Sequence, residues 1–470
     1  MAPDLNPVEA IILWSFVSYV LLCSGAYLML NLVAFFSLRY YLRRQRTNEG
    51  DSLYTGTEPP ISVIVPAYNE AETIVASLQS VLQLNYPNME IVIVNDGSRD
   101  KTLEVLKANF DFEEFPEAPR LKVPTKPIRQ VYLSRKLNNL RLIDKENGGK
   151  ADAINAGINL ARSPLFCCID ADSVLEPSAL LRVVQPFIND PKVIAAGGTV
   201  RVANGCTVKR GNVIRKGIPR NPLALFQMVE YLRAFLFGRI GWSQLNGLLI
   251  ISGAFGLFRR EVVIRAGGYR TDTIGEDMEL ICRLYSQQLD DGEMDKRIEF
   301  IPDPVCWTEA PETLKVFGSQ RKRWHRGLSE SLYANRDLLF RKGSGVIGWL
   351  SYPFFILFEW LSPFVELAGY LFTAYLLIFG RVDIADAAVV LDFAVMLSVF
   401  LSTVSLLLDE FTFPGDLKLA TVFFLILVSV VECFGYRQLN MIYKIQGAWG
   451  WIMKSRQEWG EMVRSGKWQS

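Results

Sequence analysis

The sequence is poor in the residues that bind transition metals. His325 is the only histidine, and the seven cysteines include no Cys-x-x-Cys pair. This composition argues against a zinc or iron–sulfur site, and any metal should have oxygen ligands, which favours Mg²⁺ or Mn²⁺. Several cysteines lie in apolar, strand-like runs, as is typical of reduced and buried thiols.

The chain also lacks an excess of charge of either sign. It has 50 lysines and arginines against 49 aspartates and glutamates in 470 residues, so no nucleic-acid partner is expected. Half of the residues are hydrophobic, but they are concentrated at the two ends, while the middle has the pattern of a soluble α/β domain. The length accommodates two or three domains.

Residues 10–38 contain no charged side chain, and a run of this length can cross a bilayer as a helix. A cleaved signal peptide is the alternative, but acidic residues precede the run and no small-residue cleavage site follows it. Four arginines come directly after the run, and the positive-inside rule places them in the cytoplasm. We therefore expect residues 1–48 to anchor the chain in the lipid bilayer with the N-terminus outside.

The soluble region is predicted to begin with a βαβ unit. Ile61–Val65 has the pattern of a buried strand, a helix follows through about Leu84, and Glu90–Val94 forms a second strand. Parallel strands of such a unit end at one edge of the sheet, where ligands bind in open α/β folds. Asp96 lies at this edge, where it either caps the next helix or forms a hydrogen bond with the base or ribose of a nucleotide.

Two further segments bring charged side chains to the predicted edge. Residues 147–153 join a glycine turn to a helix start at Lys150, and backbone amides with an ammonium group suit a diphosphate. The apolar run Leu165–Ile169 ends in Asp170 and Asp172. Two acids at this spacing also occur in solvated loops and helix caps, but here they suit a hard divalent cation at the end of a buried strand.

Three other stretches of the middle region have patterns that predict structure rather than chemistry. The prolines and mixed charges of residues 110–142 predict an irregular insertion, and residues 193–200 predict another strand. Residues 226–239 have roughly helical periodicity. That helix either packs against the domain or lies on the bilayer surface.

Polar side chains also occur at an apolar turn and at a helix start. Ser252 and Gly253 lie in the turn, whose small residues fit a floor beneath a flat sugar ring. Glu276 and Asp277 follow a glycine where a helix is predicted to begin. Capping explains one acid at the positive end of a helix, but it explains less well why there are two.

A short basic and aromatic segment precedes the C-terminal hydrophobic region. Residues 320–324 read Gln-Arg-Lys-Arg-Trp. A solvated basic face and a contact with lipid headgroups are two explanations of this pattern. A site that stacks a sugar and neutralises a leaving diphosphate requires the same residue types.

The last third of the sequence predicts about three hydrophobic segments, at residues 349–380, 384–408 and 417–434. The first could be a surface or re-entrant piece followed by a crossing. Three crossings would place the tail outside, whereas its basic residues favour the cytoplasm. We predict a membrane region over residues 341–436 and a basic amphipathic tail over residues 437–470.

Six ordered segments resemble the motifs of the membrane-integrated family 2 glycosyltransferases, which include cellulose, chitin, hyaluronan and poly-N-acetylglucosamine synthases. The resemblance extends from about residue 61 to residue 324, with hydrophobic flanks of the expected type. The segments are Pro66–Glu70, Asn95–Ser98, Gly148–Ala151, Asp170–Asp172, Gly275–Asp277 and Gln320–Trp324. Together they are far more specific than any one of them. The chain departs from the cellulose synthases in having one apparent N-terminal crossing and no room for a C-terminal cyclic-dinucleotide-binding domain.

The resemblance implies a cytosolic α/β GT-A (Rossmann-like) domain over residues 49–340, flanked by transmembrane helices, and an inverting enzyme. Asp277 would be the general base, and Asp172, helped by Asp170, would hold Mg²⁺ or Mn²⁺. The nucleotide of a UDP-sugar would contact Tyr68, Glu70, Asp96, Lys150 and Asp170. The acceptor and the diphosphate would contact Ser252, Gly253, Glu276, Gln320, Arg321, Arg323 and Trp324.

These roles favour an enzyme that elongates a β-linked polysaccharide, processively and with export of the growing glycan through its membrane region. Two alternatives remain open: a transferase that adds one sugar to a lipid carrier, and a membrane receptor component that has lost catalysis. The expected location is a bacterial inner membrane with the catalytic domain in the cytoplasm. A partner that carries the product onward is plausible.

Overall fold

The computed structural model describes residues 5–47, 56–117, 120–171, 173–209, 212–414 and 418–454. Asp172, the main predicted metal ligand, therefore lies outside the described residues, and so do residues 455–470 of the predicted tail.

Within this part of the chain, the strands are β1 Ile61–Ala67, β2 Met89–Asn95, β3 Phe112–Glu114, β4 Ile128–Ser134, β5 Leu140–Lys145, β6 Leu165–Ile169, β7 Val174–Leu175, β8 Val193–Val202, β9 Thr207–Lys209, β10 Asn212–Arg215, β11 Phe255–Arg259 and β12 Arg297–Thr308. Ten of them form one sheet in the order β3-β4-β5-β2-β1-β6-β11-β8-β12-β7, and β9 pairs with β10.

The helices are α1 Pro7–Thr47, α2 Ile74–Leu82, α3 Thr102–Phe110, α4 Lys150–Leu160, α5 Ala179–Val183, α6 Gln185–Asn189, α7 Pro222–Tyr231, α8 Arg239–Gln244, α9 Arg260–Arg265, α10 Glu276–Asp291, α11 Leu314–Ala334, α12 Tyr352–Phe354, α13 Ser362–Ile378, α14 Ile384–Thr412, α15 Leu419–Val431 and α16 Tyr436–Ile452. Segments with π-helical hydrogen bonding lie at Leu232–Gly238, Ile347–Ser351 and Phe355–Trp360, and a 3₁₀ turn lies at Arg336–Leu338.

The centre of the sheet is parallel and explains why the motif residues meet. β5, β2, β1 and β6 are neighbours and run in the same direction. Their residues are almost all buried, as continuous apolar runs are when helices cover both faces of a sheet. Helix α4 packs closely on β1 because Gly157 has no side chain: a Cβ there would lie 2.4 Å from the Cγ2 atom of Ile64. The carboxyl ends of these strands therefore share one edge.

The prediction that residues 110–142 form an irregular insertion is wrong. Strands β3 and β4 lie in this stretch and extend the sheet by antiparallel pairing, and β5 begins before the stretch ends. The prolines that suggested irregular structure lie between residues 115 and 127, outside the strands. Proline is excluded only where a ladder needs its missing N–H group, so the flanking residues were free to pair.

The helices at both ends of the chain have the length and composition of membrane spans. Helix α1 over Pro7–Arg43 and helix α14 over Ile384–Thr412 are long and apolar enough to cross a membrane. Two bent pairs would add up to two more spans, with bends of 43° after Trp360 and 58° between α15 and α16. The break at Trp360 lies where the sequence predicts the end of a surface or re-entrant piece, and the bent pair is either one broken span or a re-entrant loop.

Candidate active site

Asp96 follows β2 and is only 2% exposed, because the protein itself surrounds its carboxylate. Lys145 at the end of β5 donates to Asp96 Oδ1 over 2.6 Å. The backbone N–H groups of Gly148 and Gly149 donate to the same carboxylate, the latter over 2.7 Å to Oδ2. Asp96 thus fixes the glycine turn that leads into α4.

These contacts correct one expectation about the glycine turn. The backbone amides of Gly148 and Gly149 were expected to bind a diphosphate, but they are already hydrogen-bonded to Asp96. Lys145 was not predicted as a site residue, yet its side chain is fully buried between Asp96 and Asp152, at 2.6 Å from an oxygen of each. A buried ammonium between two carboxylates is a compensated charge, and its position just before the glycine turn was a signal in the sequence.

Tyr68 and Glu70 follow β1 at the same edge. The Tyr68 side chain is 39% exposed, as a ring that stacks on a ligand requires. Glu70 accepts a hydrogen bond of 2.5 Å from the Thr73 hydroxyl, and its backbone N–H donates to Thr102. The geometry therefore leaves Tyr68 the more accessible of the two predicted nucleotide contacts.

Lys150 lies at the centre of a cluster of three charged side chains. Its Nζ atom is 2.5 Å from Asp170 Oδ1 and 3.6 Å from Glu276 Oε1. Burial alone would lower the pKa of Lys150, but Asp170 and Glu276 outweigh burial and raise that pKa above its ordinary value. Burial also raises the pKa of Glu276, to about 7, although Lys150 opposes the rise. The lysine therefore stays cationic beside carboxylates at neutral pH.

The backbone of Gly253 connects this cluster to Asp277. The Lys150 ammonium donates to the Gly253 carbonyl over 3.2 Å, and the Gly253 N–H donates to Asp277 Oδ2 over 3.2 Å. The other oxygen, Oδ1, accepts from the backbone N–H of Met278 over 2.8 Å in the first turn of α10. A carboxylate has about four acceptor positions, so both oxygens keep capacity to accept a further proton donor.

One cavity of about 1580 Å³ gathers most of the predicted site residues. Its lining includes Lys150, Asp170, Ser252, Gly253, Glu276, Asp277, Gln320, Arg321, Arg323 and Trp324. Tyr68, Glu70 and Asp96 lie outside this lining, where β1 and β2 end. From the predicted site residues in its lining, the cavity continues between α1, α13 and α14.

Arg321 does not occupy the position expected for a diphosphate ligand. Its guanidinium group is 2% exposed and forms two hydrogen bonds with the carboxylate of Glu230, of 2.6 Å and 2.9 Å. Arg323 and Trp324 line the cavity as expected, and the Trp324 side chain is 42% exposed. Nothing in the local sequence indicates the pairing with Glu230, which lies 91 residues away.

His325 also lines the cavity but is unsuited to proton transfer at neutral pH. Its side chain is 3% exposed, and burial lowers its pKa to about 3, with a further contribution from Lys444. The imidazole is therefore neutral and a very weak base. A carboxylate remains the better candidate for a general base in this cavity.

The sequence matches two family descriptions. The description "Glycosyl transferase family 2" matches residues 62–267, and "Glycosyl transferase family group 2" matches residues 165–428, more than half of the chain. The chain belongs to the family 2 glycosyltransferases. It is therefore an enzyme of that family, as its motifs predicted, and the receptor hypothesis is not supported.

Curated relatives agree with this assignment. A poly-β-1,6-N-acetyl-D-glucosamine synthase of Staphylococcus epidermidis is 32% identical over 275 residues, which cover 58% of this chain and 55% of the relative. The synthase of the same name from Staphylococcus aureus strain COL is 32% identical over 298 residues, which cover 63% and 60%. The match thus spans little more than half the length of these relatives.

A solved structure supports the fold of this glycosyltransferase. The mannosyltransferase PcManGT from Pyrobaculum calidifontis, solved with GDP-Man and Mn²⁺, superimposes with a TM-score of 0.57. The alignment covers 94% of this chain and 100% of that one, at 17% identity. At this identity the similarity concerns the fold alone, and it confirms the predicted GT-A type of α/β domain with helices at both ends.

Proposed function

We propose that this enzyme transfers a sugar from a UDP-sugar to the hydroxyl of a growing β-linked polysaccharide, with inversion at the anomeric carbon. Its relatives are named for the synthesis of a β-1,6-linked N-acetylglucosamine polymer, so UDP-N-acetylglucosamine is the first donor to test. Elongation without release and export of the glycan through the membrane helices form part of the same proposal.

The observation that carries the proposal is the contact of Lys150 and Asp277 with one residue, Gly253. It supports a site in which Lys150 serves the donor and Asp277 serves the acceptor, because both groups bind the backbone of a single small residue. Transfer between two sugars needs both groups within one sugar length of each other. Because Gly253 has no side chain, Lys150 and Asp277 can both lie close to its backbone: a Cβ there would lie 3.1 Å from Lys150 Nζ and 3.5 Å from Asp277 Oδ2.

In the proposed reaction, the acceptor oxygen attacks the anomeric carbon while the bond from that carbon to the diphosphate oxygen breaks. Asp277 accepts the proton of the attacking hydroxyl, and the electron pair of the broken bond leaves with UDP. Lys150 and Arg323 carry positive charge along the cavity wall, where it stabilises the negative charge that develops on the diphosphate. One base and no covalent intermediate suffice for inversion.

The residues fit a divalent cation. The Asp170 carboxylate at the end of β6 is 28% exposed and lines the cavity, and Asp172 would be the second ligand. No cluster of three or more His, Cys, Asp or Glu ligands occurs among the described residues. Mg²⁺ or Mn²⁺ would be bound by one or two carboxylates together with substrate phosphates. Bound there, the ion would neutralise charge on the leaving diphosphate.

UDP release by the full-length protein in detergent tests this function. The assay uses a panel of UDP-sugars and GDP-mannose, with Mg²⁺, Mn²⁺ or EDTA, and the products are sized. Asp277→Asn should lower transfer at least about a hundredfold while donor binding stays within about twofold, because general base catalysis typically contributes that much. Asp290→Asn, at the exposed end of the same helix, is the matched control. Loss of donor binding in folded Asp277→Asn would refute the base assignment.

A second candidate, transfer of one sugar to a lipid carrier, is favoured by the outer part of the cavity. Between the membrane helices its lining includes apolar side chains such as Phe16, Val17, Leu377, Val390 and Leu391. Such a surface suits a hydrocarbon chain better than a glycan. The same assay separates the candidates, because a lipid product moves into organic solvent and a polymer remains in water.

We further propose the orientation that the charge pattern predicts, with the N-terminus outside and residues 49–340 in the cytoplasm. The arginines that follow the apolar part of α1 support this orientation. A donor made in the cytoplasm would then reach the sheet edge directly. We also retain the predicted boundaries at residues 48, 340 and 436 as part of this proposal.

A further inference from the structure

Helix α11, which carries the Gln320–Trp324 segment, is held against the C-terminal helix α16 by close backbone packing. A Cβ on Gly318 of α11 would lie 2.7 Å from the ring of Tyr443. A Cβ on Gly447 of α16 would lie 2.4 Å from the carbonyl oxygen of Lys322. Each helix therefore has a glycine at the point where the other helix packs closely against it. Helix α16 was predicted as part of a basic amphipathic tail, with no role in the site.

A polar cluster lies at the start of this contact and reaches into the cavity. Glu230, at the end of α7, binds Arg321 through two hydrogen bonds of 2.6 Å and 2.9 Å. The hydroxyl of Tyr436, the first residue of α16, donates to the same carboxylate. Tyr436 is 5% exposed, and its ring lies 5.3 Å from that of Phe317. The cluster thus joins α7, α11 and α16.

The charges of this cluster are mutually compensated. Burial would raise the pKa of Glu230, but Arg321 and the Tyr436 hydroxyl lower it below its ordinary value. The carboxylate is therefore ionised, and Arg321 is fixed by a bidentate pair rather than left to bind a phosphate. A guanidinium fork matches a carboxylate in this way, whereas a lysine ammonium forms one point contact.

Arg321, held in place by Glu230, also contacts the ring of Trp324. Its guanidinium carbon is 4.6 Å from the centre of the Trp324 ring and 4.8 Å from that of Phe317. A cation over an indole face favours one orientation of the ring. The Trp324 side chain is 42% exposed at the cavity wall. The orientation of this exposed indole therefore depends on a buried ion pair.

We infer that Glu230, Arg321 and Tyr436 are positioning residues that set the orientation of Trp324 for the acceptor sugar, and that α16 forms part of the site through them. This inference rests on the proposed function for the identity of the acceptor. In this role the cluster acts on the acceptor through Trp324. Its loss should weaken acceptor use and leave donor binding unchanged.

A double-mutant cycle tests the inference in the full-length enzyme. Arg321→Lys should raise the apparent KM for a β-1,6-linked N-acetylglucosamine oligomer about fivefold, with the KM for UDP-N-acetylglucosamine within about twofold. In a Trp324→Ala background, Arg321→Lys should have no further effect on acceptor use. An equal effect in both backgrounds, or an equal rise in both KM values, would overturn the inference. Arg341→Lys, in an exposed pair with Asp290, is the control.

A second readout needs no turnover and separates this inference from the proposed function. The emission of Trp324 is obtained by subtracting the fluorescence spectrum of Trp324→Phe from that of the wild-type protein. Glu230→Gln and Arg321→Lys should each increase the quenching of that emission by acrylamide, whereas Arg341→Lys should not. Increased quenching supports the inference even if no UDP-sugar is turned over. Unchanged quenching in both variants overturns it.

Discussion

Glu276 offers a direct test of the electrostatics in the cavity. Its side chain is 8% exposed, and burial raises its pKa from 4.5 to about 7. A carboxyl with a raised folded-state pKa holds its proton more tightly in the folded protein. Its contribution to stability is therefore complete below the unfolded pKa and is lost as the pH rises through about 7. The magnitude of the loss is about 3 kcal/mol for a shift of this size.

The perturbation is Glu276→Gln, which keeps the shape and removes the titration. The variant also loses the contact of 3.6 Å with Lys150, but Lys150 keeps its closer partner, Asp170. The useful quantity is therefore the difference in the free energy of unfolding between variant and wild type, compared at two pH values. This difference should move by about 3 kcal/mol in favour of the variant between pH about 4.5 and pH about 8.

Thermal unfolding of the full-length protein in detergent, with EDTA present, measures this difference. A shift of this size corresponds to a few degrees in Tm. Glu261→Gln is the matched control, because it makes the same change at a glutamate whose side chain is 67% exposed. A constant difference between Glu276→Gln and wild type over this pH range would refute the raised pKa and would mean that Lys150 fully offsets the burial of Glu276.

Two further substitutions probe close contacts. Gly253→Ala should lower transfer by about threefold to tenfold, because the new Cβ would lie 3.1 Å from Lys150 Nζ and the ammonium must move by a few tenths of an ångström, whereas a misplacement of about 1 Å costs roughly a hundredfold; UDP release measures the effect. Asp409→Ala should lower the free energy of unfolding by about 3–5 kcal/mol, because it leaves Arg201, its partner at 2.9 Å, buried without that carboxylate; thermal unfolding measures the loss.

Each of these substitutions has a control of the same kind. Gly25→Ala introduces a Cβ with no heavy atom within 4 Å, so its transfer rate should match that of the wild type. Lys192→Ala removes one partner of an exposed pair, whose side chains are 55% and 60% exposed, and should change stability by less than about 1 kcal/mol. Wild-type transfer by Gly253→Ala, or wild-type stability of Asp409→Ala, would contradict the role of that contact.

Much of the site could be predicted because the carboxyl ends of the parallel strands lie at one edge of the sheet. Asp170 follows β6 and Asp96 follows β2, so identifying the strands was enough to place both residues there. The ordered motifs then added Lys150 and Asp277, and the cavity contains both. The location of these side chains follows from local sequence and topology alone.

The partners of these side chains could not be predicted, because they depend on the order of the strands in the sheet and on which side of each helix packs against its neighbours. Lys145 reaches Asp96 only because β5 lies next to β2 in the sheet. Arg321 has the sequence context of a phosphate ligand, but the rotation of α11 turns its guanidinium toward Glu230. Sequence spacing fixes which residues share a face of a helix, but tertiary packing decides which partner that face meets.

The charged groups of the site are held by the sheet rather than by independent loops. Phe255 in β11 pairs with Ile169 in β6, so the backbone two residues before Phe255 is fixed relative to Asp170. That backbone belongs to Gly253, which accepts from Lys150 and donates to Asp277. The separation between Lys150 and Asp277 therefore depends on a strand pairing. If the proposed function is correct, a change in this pairing should impair donor use and acceptor use together.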